Sequence, residues 1–254
     1  MDYKSPALVP AISGLGWRQR AYCIEKLLSG NEAMNLQTVL LAGATGLVGS
    51  HCLQQLLAEP ACKQVIALSR QPLSIAHEKL ENRVADFERL EETLRGVKAD
   101  TLFCCLGTTM KKARTRQAFI RVDHDYPVQL AQWASDHGVK QFLLVSAIAA
   151  DAKSKVFYNR VKGETERDIA GLSIPAITFF RPSLLLGDRS ERRRREEAAA
   201  WFFRFTGFLF RGRLAAFKPN QAAQVAAAML ASAREGRPGL HIVSAQEMHG
   251  EGSS

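Results

Sequence analysis

The feature that most restricts the fold of this chain is an alternation of short apolar runs with segments whose apolar residues recur at helical spacing. The apolar runs predict strands at 38–42, 65–69, 84–86, 101–106, 141–147, 176–180 and 240–244. The helices predicted between them span 47–59, 88–94, 117–137, 157–169 and 221–234. Strands without polar alternation, separated by helices, indicate a parallel sheet that is covered on both faces. The predicted fold class is therefore α/β, with a doubly wound parallel sheet.

The chain divides into an appendage, one main domain and a short tail. Residues 1–35 match no periodic unit that follows, and they are predicted to be an N-terminal appendage. An overcalled start before Met34 and a real arm both remain open. Residues 36–248 are predicted to form a single domain, and residues 249–254 a frayed tail. A domain of this size buries enough surface to fold without disulfides or a structural metal.

Charge and cysteine content narrow the class of protein. The net charge is +9, but nine arginines and four acidic residues lie between Arg181 and Arg213, so the basic character is local. We therefore expect no nucleic-acid binding, which spreads cations over several elements. The five cysteines show no C-x-x-C spacing and predict buried free thiols and no metal site. With no secretory leader and no apolar run of membrane-spanning length, the expected location is the cytoplasm.

A glycine-rich turn follows the first predicted strand and opens the first predicted helix. Its glycines have the spacing G-x-x-G-x-x-G, which lets a backbone turn tightly and approach a pyrophosphate at the helix N-terminus. A purely structural turn is the alternative. The residues predicted to bind a dinucleotide here are Gly43, Thr45, Gly46, Leu47, Val48 and Gly49.

The ends of the next strands bear on the choice of dinucleotide. The second strand ends in Ser69 and Arg70 without an acidic residue. A hydroxyl and a guanidinium suit a 2′-phosphate, so NADP(H) is favoured over NAD(H). Asp86 is predicted to accept from the adenine amino group, with a helix cap as the alternative.

The fourth predicted strand leads into a further set of predicted cofactor contacts. Gly107 would let the chain pass beside the cofactor, and nearby hydroxyls could hydrogen-bond to it. An ordinary exit from a strand is the alternative. The predicted contacts at this exit are Leu106, Gly107 and Thr108.

Three residues form the predicted catalytic group. Tyr158 and Lys162 lie four apart on a predicted helix and so share one face. A nearby ammonium stabilises a phenolate, which suits a tyrosine for proton transfer to or from a carbonyl oxygen. Ser146 ends the fifth predicted strand twelve residues before Tyr158 and is placed to hydrogen-bond to the same oxygen. An exposed Tyr and Lys on a helix would be the alternative.

These motifs together resemble the short-chain dehydrogenase/reductase superfamily in its extended or atypical branch. Within that branch, four segments over about residues 38–210 look similar to the Tat-interacting oxidoreductase family. The segments are Cys105-Leu-Gly-Thr-Thr109, Arg121-Val-Asp-His-Asp-Tyr126, Val161-Lys-Gly-Glu164 and Phe180-Arg-Pro-Ser-Leu-Leu-Leu-Gly187. The resemblance implies an NADP(H)-binding Rossmann domain and a small C-terminal substrate-pocket region from about residue 182.

The resemblance also implies roles for particular residues. It makes Ser146, Tyr158 and Lys162 the catalytic positions, and Tyr158, Lys162 and Arg181 are predicted to contact the cofactor as well. One departure concerns the superfamily's catalytic Asn, which is replaced near Asp123 in this chain. That replacement puts the proton relay through Lys162 in question.

The resulting hypothesis is an NADP(H)-dependent oxidoreductase that acts on a small-molecule carbonyl or alcohol. An NADPH-binding redox-sensing regulator without turnover is the main alternative, and an enzyme like the sugar-nucleotide epimerases and dehydratases is a lower one. The segment 192–213 combines aromatics with arginines. Two alternatives remain open for this segment: a weak contact with a membrane surface or a protein, and packing of its aromatic residues over the substrate pocket. Monomer and dimer both remain open.

Overall fold

A computed structural model describes residues 36–186 and 220–250. The predicted appendage at 1–35, the arginine-rich segment 192–213 and residues 251–254 of the predicted tail lie outside the described residues.

A parallel sheet of seven strands forms the centre of the described part of the chain. The strand order is β3-β2-β1-β4-β5-β6-β9, and every neighbouring pair is parallel. These strands are β1 Thr38–Ala42, β2 Gln64–Ser69, β3 Leu80–Val84, β4 Thr101–Cys104, β5 Gln141–Val145, β6 Ala176–Arg181 and β9 Gly239–Ser244. Two further short strands, β7 Leu185–Leu186 and β8 Asn220–Gln221, pair with each other. The topology is the Rossmann-like α/β arrangement expected from the sequence.

Helices connect the strands and cover both faces of the sheet. The α-helices are α1 Leu47–Ala58, α2 Leu90–Thr93, α3 Met110–Ala113, α4 Arg116–Ile120, α5 Tyr126–Asp136, α6 Phe157–Ala170, α7 Ala222–Glu235 and α8 Glu247–Gly250. A 3₁₀-helix spans Phe87–Arg89, and a π-helix at Arg121–Asp125 joins α4 to α5.

The alternating side chains of the central strands enter two apolar cores. Val39 and Leu41 of β1 pack with residues of α1 and α7 on one face. Leu40 and Ala42 face the other way and pack with residues of α5 and α6. Because successive side chains of a strand point to opposite faces, a strand buried on both sides is apolar throughout, which is why β1, β4 and β5 were recognisable as continuous runs.

Two predicted elements differ in the structure. The third strand was predicted at 84–86, but β3 spans Leu80–Val84. This prediction was wrong because β3 is an edge strand whose residues are half-buried or exposed, so it lacks an apolar run. The single helix predicted at 117–137 is divided by the π-helix.

The described chain ends in α8, at the start of the predicted tail. The tail was predicted at 249–254, and its first residue, His249, lies within α8. The Nε2 of His249 lies 3.3 Å from Nδ2 of the buried Asn220, whose amide also donates to the carbonyl of Ala245. These contacts attach α8 to β8.

Within residues 36–186 and 220–250, no helix is long and apolar enough to cross a bilayer. The same residues contain no group of three or more His, Cys, Asp or Glu side chains arranged to hold a metal ion.

Candidate functional site

The glycine-rich turn joins the carboxyl end of β1 to the start of α1. Gly43 has φ +87°, and a Cβ on it would lie 2.6 Å from the carbonyl oxygen of Cys105. A Cβ on Gly49 would lie 2.1 Å from the carbonyl oxygen of Gly43. Both positions therefore require glycine, and the close approach brings the first turn of α1 against the end of the strand. Since first-turn N–H groups have no acceptor inside their helix, they are available to an anion.

Other residues of this turn complete the geometry predicted for a dinucleotide loop. The N–H of Gly46 donates to the carbonyl of Gly43 at 2.8 Å, and Gly46 is the N-cap of α1. Leu47 and Val48 follow as the first helical residues, and Thr45 is exposed at the turn. All six residues predicted from the sequence therefore lie on one strand-turn-helix segment.

The end of β2 presents one of the two predicted polar side chains to solvent. Ser69 is buried; its hydroxyl donates to the carbonyl of Gln71 at 2.6 Å and accepts from Asn82 at 2.7 Å. Arg70 is exposed and forms no ion pair with another residue of the described chain. At this strand end, Arg70 is thus the group available to a phosphate, while Ser69 shapes the turn.

Asp86 lies after β3 and caps the 3₁₀-helix. Its carboxylate accepts from the N–H of Glu88 at 3.0 Å, which is the capping role named as the alternative to adenine binding. The side chain is exposed, so a contact with the adenine amino group stays a prediction.

Leu106, Gly107 and Thr108 leave β4 beside the predicted catalytic group. The N–H of Thr108 donates to Oδ2 of Asp123 at 2.8 Å. Gly107 is exposed, and the place of its absent Cβ is 3.5 Å from Oδ1 of Asp123 and 3.9 Å from Nζ of Lys162. This exit is therefore attached to the catalytic group through one carboxylate.

Ser146 follows β5 directly and carries an unpaired buried hydroxyl. Its N–H donates to the carbonyl of Phe180 at 2.7 Å, which fixes its backbone against β6. The side-chain oxygen is buried and has no hydrogen-bond partner in the described part of the protein. Because a buried hydroxyl without a partner costs free energy, Ser146 is suited to bind an oxygen that arrives from outside.

Tyr158 and Lys162 lie one turn apart on α6, as predicted, but in different environments. The side chain of Tyr158 is exposed, and its ring packs 5.7 Å from the ring of Phe119. Lys162 is buried, and its Nζ lies 2.8 Å from Oδ1 of Asp123. Burial alone would lower the pKa of Lys162, but the charges of Asp123 and Tyr158 outweigh it and raise that pKa above its usual value. Lys162 is thus a buried ammonium beneath an accessible phenol.

Asp123 is the site residue whose role the sequence left unassigned. It is almost fully buried and lies in the π-helix, where its own carbonyl accepts from Thr165 at 2.9 Å. Its carboxylate joins the N–H of Thr108 to the ammonium of Lys162. The only sequence signal was an acidic residue at the place of the superfamily's Asn, and nothing in the spacing linked it to Lys162.

Arg181, predicted to contact the cofactor, is paired within the protein. Its guanidinium donates to both carboxylate oxygens of the buried Glu166, at 3.0 Å and 2.5 Å. This bidentate pair holds β6 against α6, and the hydrogen bonding of Arg181 to the carboxylate of Glu166 raises the pKa of Arg181. The pair provides a structural role for Arg181, and its contact with a cofactor stays a prediction.

The predicted residues lie together at the carboxyl ends of the parallel strands. The glycine turn, Arg70, Thr108 and Ser146 follow β1, β2, β4 and β5, and these strands are neighbours in the order β2-β1-β4-β5. The carboxyl ends of parallel strands are where open α/β sheets bind ligands. The arrangement can therefore hold an extended dinucleotide, with the Ser-Tyr-Lys group next to β4 and β5.

Comparisons with known proteins agree with this geometry. The family model described as NAD(P)H-binding matches residues 43–188. The chain is 37% identical over 185 residues to protein HTATIP2 of Rattus norvegicus, which covers 70% of this chain and 76% of that protein. It is 30% identical over 174 residues to the mitochondrial protein fmp52 of Emericella nidulans, covering 66% of this chain and 75% of that protein.

A solved structure supports the fold. A short-chain dehydrogenase family protein from Francisella tularensis has a TM-score of 0.60 with this chain at 14% identity, covering 84% of this chain and 99% of that one. At this identity the likeness concerns the fold alone.

Proposed function

Since this chain belongs to the NAD(P)H-binding family, we propose that it is an NADP(H)-dependent oxidoreductase that transfers a hydride to or from a carbonyl or alcohol carbon. The observation that carries this proposal is the buried, unpaired hydroxyl of Ser146 beside the Tyr158-Lys162 pair. A site that only bound a dinucleotide would have no need of a desolvated hydroxyl at the end of β5. An incoming carbonyl oxygen would give that hydroxyl the partner that the described residues do not supply.

The residues have the following proposed roles in the reducing direction. Ser146 donates a hydrogen bond to the carbonyl oxygen and orients it. When bound, the reduced nicotinamide supplies the hydride that adds to the carbonyl carbon. Tyr158 then donates its phenolic proton to the oxygen, so that the product is an alcohol. Lys162 stabilises the phenolate that is left, and the oxidation of an alcohol uses the same groups in reverse.

The first test is turnover by the purified chain with NADPH and a panel of aldehydes and ketones. Ser146→Ala is expected to lower kcat by at least about 100-fold, because one preorganised donor to the reacting oxygen is removed. NADPH affinity should change little. Ser135→Ala, on α5, is a matched control that should leave both unchanged. Equal turnover by Ser146→Ala and the wild type would contradict the proposed role.

The preference for NADP(H) is a separate proposal and is supported by Arg70. An exposed guanidinium at the end of β2, with no acidic residue in Leu68-Ser69-Arg70, favours a 2′-phosphate over a free ribose hydroxyl. Arg70→Ala is expected to weaken NADPH binding by about tenfold and to leave NADH binding unchanged. Arg95→Ala removes an exposed arginine elsewhere and serves as the control. Nicotinamide fluorescence measures the affinity of the wild type and of both variants for NADPH and for NADH.

One observation favours the second candidate, an NADPH-binding regulator without turnover. The carboxylate of Asp123 offsets the charge of Lys162, and this weakens the help that Lys162 can give to a phenolate. The regulator reading expects tight NADPH binding, no turnover of any carbonyl in the panel, and a partner protein captured in only one redox state of the nucleotide.

We keep the cytoplasm as the proposed location. The fungal relative is named a mitochondrial protein, so subcellular fractionation of the native host is the deciding measurement. Recovery of the chain with mitochondria would replace this proposal.

A further inference from the structure

Four cations lie close together in the segment that follows the exit from β4. We call Lys111, Lys112, Arg114 and Arg116 the cationic rim. All four are exposed, and no acidic residue occurs between Thr108 and Arg121. None of the four forms an ion pair with an acidic residue in the described part of the chain. Like charges held this close repel one another, so the rim has a positive potential that these residues leave uncompensated.

The N-terminal end of the rim follows a residue that is hydrogen-bonded to the predicted catalytic group. Thr108 donates its N–H to Asp123, which is the ion-pair partner of Lys162. Thr109 then caps α3 by accepting from the N–H of Lys112 at 3.3 Å. The rim therefore begins three residues beyond a direct hydrogen bond to the candidate site.

The C-terminal end of the rim contacts the aromatic rings next to the same group. The guanidinium of Arg116 lies 5.1 Å from the ring centroid of Phe157, the residue before Tyr158. Three residues later, the ring of Phe119 packs 5.6 Å from Phe157 and 5.7 Å from Tyr158. Both ends of the segment that carries the rim are therefore joined to residues of the candidate site.

A neighbouring arginine shows how a cation in this region is otherwise neutralised. Arg160 also lies over Phe157, at 5.8 Å, but its Nε is 3.8 Å from a carboxylate oxygen of Glu164. Two apolar side chains of these segments are exposed as well, Met110 just before Lys111 and Val156 two residues before Tyr158. The surface of these two segments thus combines exposed apolar side chains with unpaired positive charge.

We infer that the cationic rim binds an anionic group of the substrate, a carboxylate or a phosphate, that is separate from the reacting carbonyl. The inference rests on the proposed function, because it deepens the choice of substrate at that same site. The rim is distinct from the predicted cofactor phosphate contact, since Arg70 follows β2 and the rim follows β4, on opposite sides of β1. Concentrated positive charge at an opening favours the capture of anions.

The first experiment compares carbonyl compounds that differ in one anionic group. The pairs are hexanal with 6-oxohexanoate and glyceraldehyde with glyceraldehyde 3-phosphate, each reduced by the wild type with NADPH. We expect kcat/KM to be at least about tenfold higher for the anionic member of a pair. The preference should shrink as salt is added. The first pair reports on a carboxylate and the second on a phosphate.

The rim variant Lys111→Gln/Lys112→Gln/Arg114→Gln removes three charges and keeps Arg116, which stacks on Phe157. We expect it to lose the preference through KM while NADPH affinity stays unchanged. The control variant Lys63→Gln/Arg95→Gln/Lys98→Gln removes the same charge from exposed positions before β2 and β4, at the opposite edge of the sheet. It should keep the preference.

A binding measurement separates this inference from the proposed function. Inorganic pyrophosphate is titrated calorimetrically into the protein saturated with NADP⁺, and the rim variant should bind it at least about tenfold more weakly than the control variant. If no carbonyl is reduced but this difference is found, the proposed function fails and the anion site stands. Equal pyrophosphate binding by the two variants, or no binding by the wild type, would overturn the inference even if turnover is observed.

Discussion

The two helix layers of this protein bury different chemistry against the same sheet. On one face, the buried residues of α1 and α7 are apolar or glycine without exception. On the other face, half of the buried residues of α6 are polar, namely Lys162, Thr165 and Glu166. Each of these three has a partner outside its own turn: Asp123 for Lys162 and Thr165, and Arg181 for Glu166.

This difference separates residues that stabilise the fold from those proposed to act on a substrate. A layer built only of apolar contacts gains most of its stability from area removed from water. A layer that buries charges gains little net stability from them, because desolvation offsets much of the attraction. Buried polar groups that add little stability lie next to an accessible tyrosine and an unpaired serine, as the proposed function requires of the α6 layer.

The largest expected effect is the loss of turnover in Tyr158→Phe. Without the phenolic proton, kcat should fall by about 1000-fold, while the melting temperature and NADPH affinity stay close to those of the wild type. Tyr126→Phe is a matched control in the same layer, since its hydroxyl donates to Glu88 at 2.8 Å on the surface. Steady turnover by Tyr158→Phe would contradict the proposal that the α6 layer acts on a substrate while the layer of α1 and α7 stabilises the fold.

A second prediction uses the buried ion pair. Lys162→Met leaves Asp123 buried without its cation, so the free energy of unfolding should fall by about 3–5 kcal/mol. The double variant Lys162→Met/Asp123→Asn removes both charges and should recover most of that loss, measured by urea unfolding. If the double variant is no more stable than the single one, the two charges are not coupled as the 2.8 Å contact indicates.

The apolar layer gives the matching prediction. Met229 is fully buried on α7, and Met229→Ala should destabilise the protein by about 2–5 kcal/mol through lost burial and a cavity. Unlike the substitutions in the α6 layer, it should leave kcat of the folded protein unchanged. A large loss of kcat at a temperature where the variant is fully folded would contradict the separation of roles.

A smaller effect is expected from Asp123→Asn, which restores a neutral side chain at this position. The ammonium of Lys162 would then act on Tyr158 without an opposing carboxylate. Carbonyl reduction needs the protonated phenol of Tyr158, so the basic limb of its kcat–pH profile should move to lower pH by about one unit, equivalent to ~1.4 kcal/mol. A merely structural role for Asp123 would change the melting temperature and leave the limb in place.

The comparison also shows which parts of the molecule the sequence could reveal. The glycine turn and the buried strands were predictable, because a strand covered on both faces is apolar at every position and a tight turn demands glycine. Ser146, Tyr158 and Lys162 were found through their spacing and then placed by the order of the strands. These features depend on local geometry or on one regular period.

The features that were missed depend on contacts between distant segments. Asp123 and Lys162 are 39 positions apart, and only the packing of the π-helix against α6 brings them together. The π-helix itself has no signal, because Arg121–Asp125 contains one apolar residue, Val122, and so sets no period of its own. β3 was misplaced since an edge strand with half-exposed polar residues such as Glu81, Asn82 and Arg83 carries no apolar run.

The smallest expected effect concerns an ion pair at the end of the apolar layer, where Glu59, just after α1, contacts Arg234 of α7. Burial raises the pKa of Glu59, but the hydrogen bonds from Arg234 and the N–H of Ala61 outweigh it and hold that pKa below its ordinary value of 4.5. The pair therefore stabilises the fold above pH 4.5, and this contribution is lost as the pH falls through the lower pKa of the folded state.

Glu59→Gln should accordingly lower the free energy of unfolding by about 1 kcal/mol at pH 7, a modest value because Arg234 is more than half exposed. The gap between variant and wild type should close as the pH falls through the lowered pKa of Glu59, below which both chains carry a neutral side chain at this position. Glu78→Gln, an exposed glutamate without an ion pair in the described chain, is the control and should show no gap at either pH. A gap that persists at low pH would mean that Glu59 stabilises the contact between α1 and α7 by packing, as its apolar neighbours do. The charge of Glu59 would then add nothing to the stability of this layer.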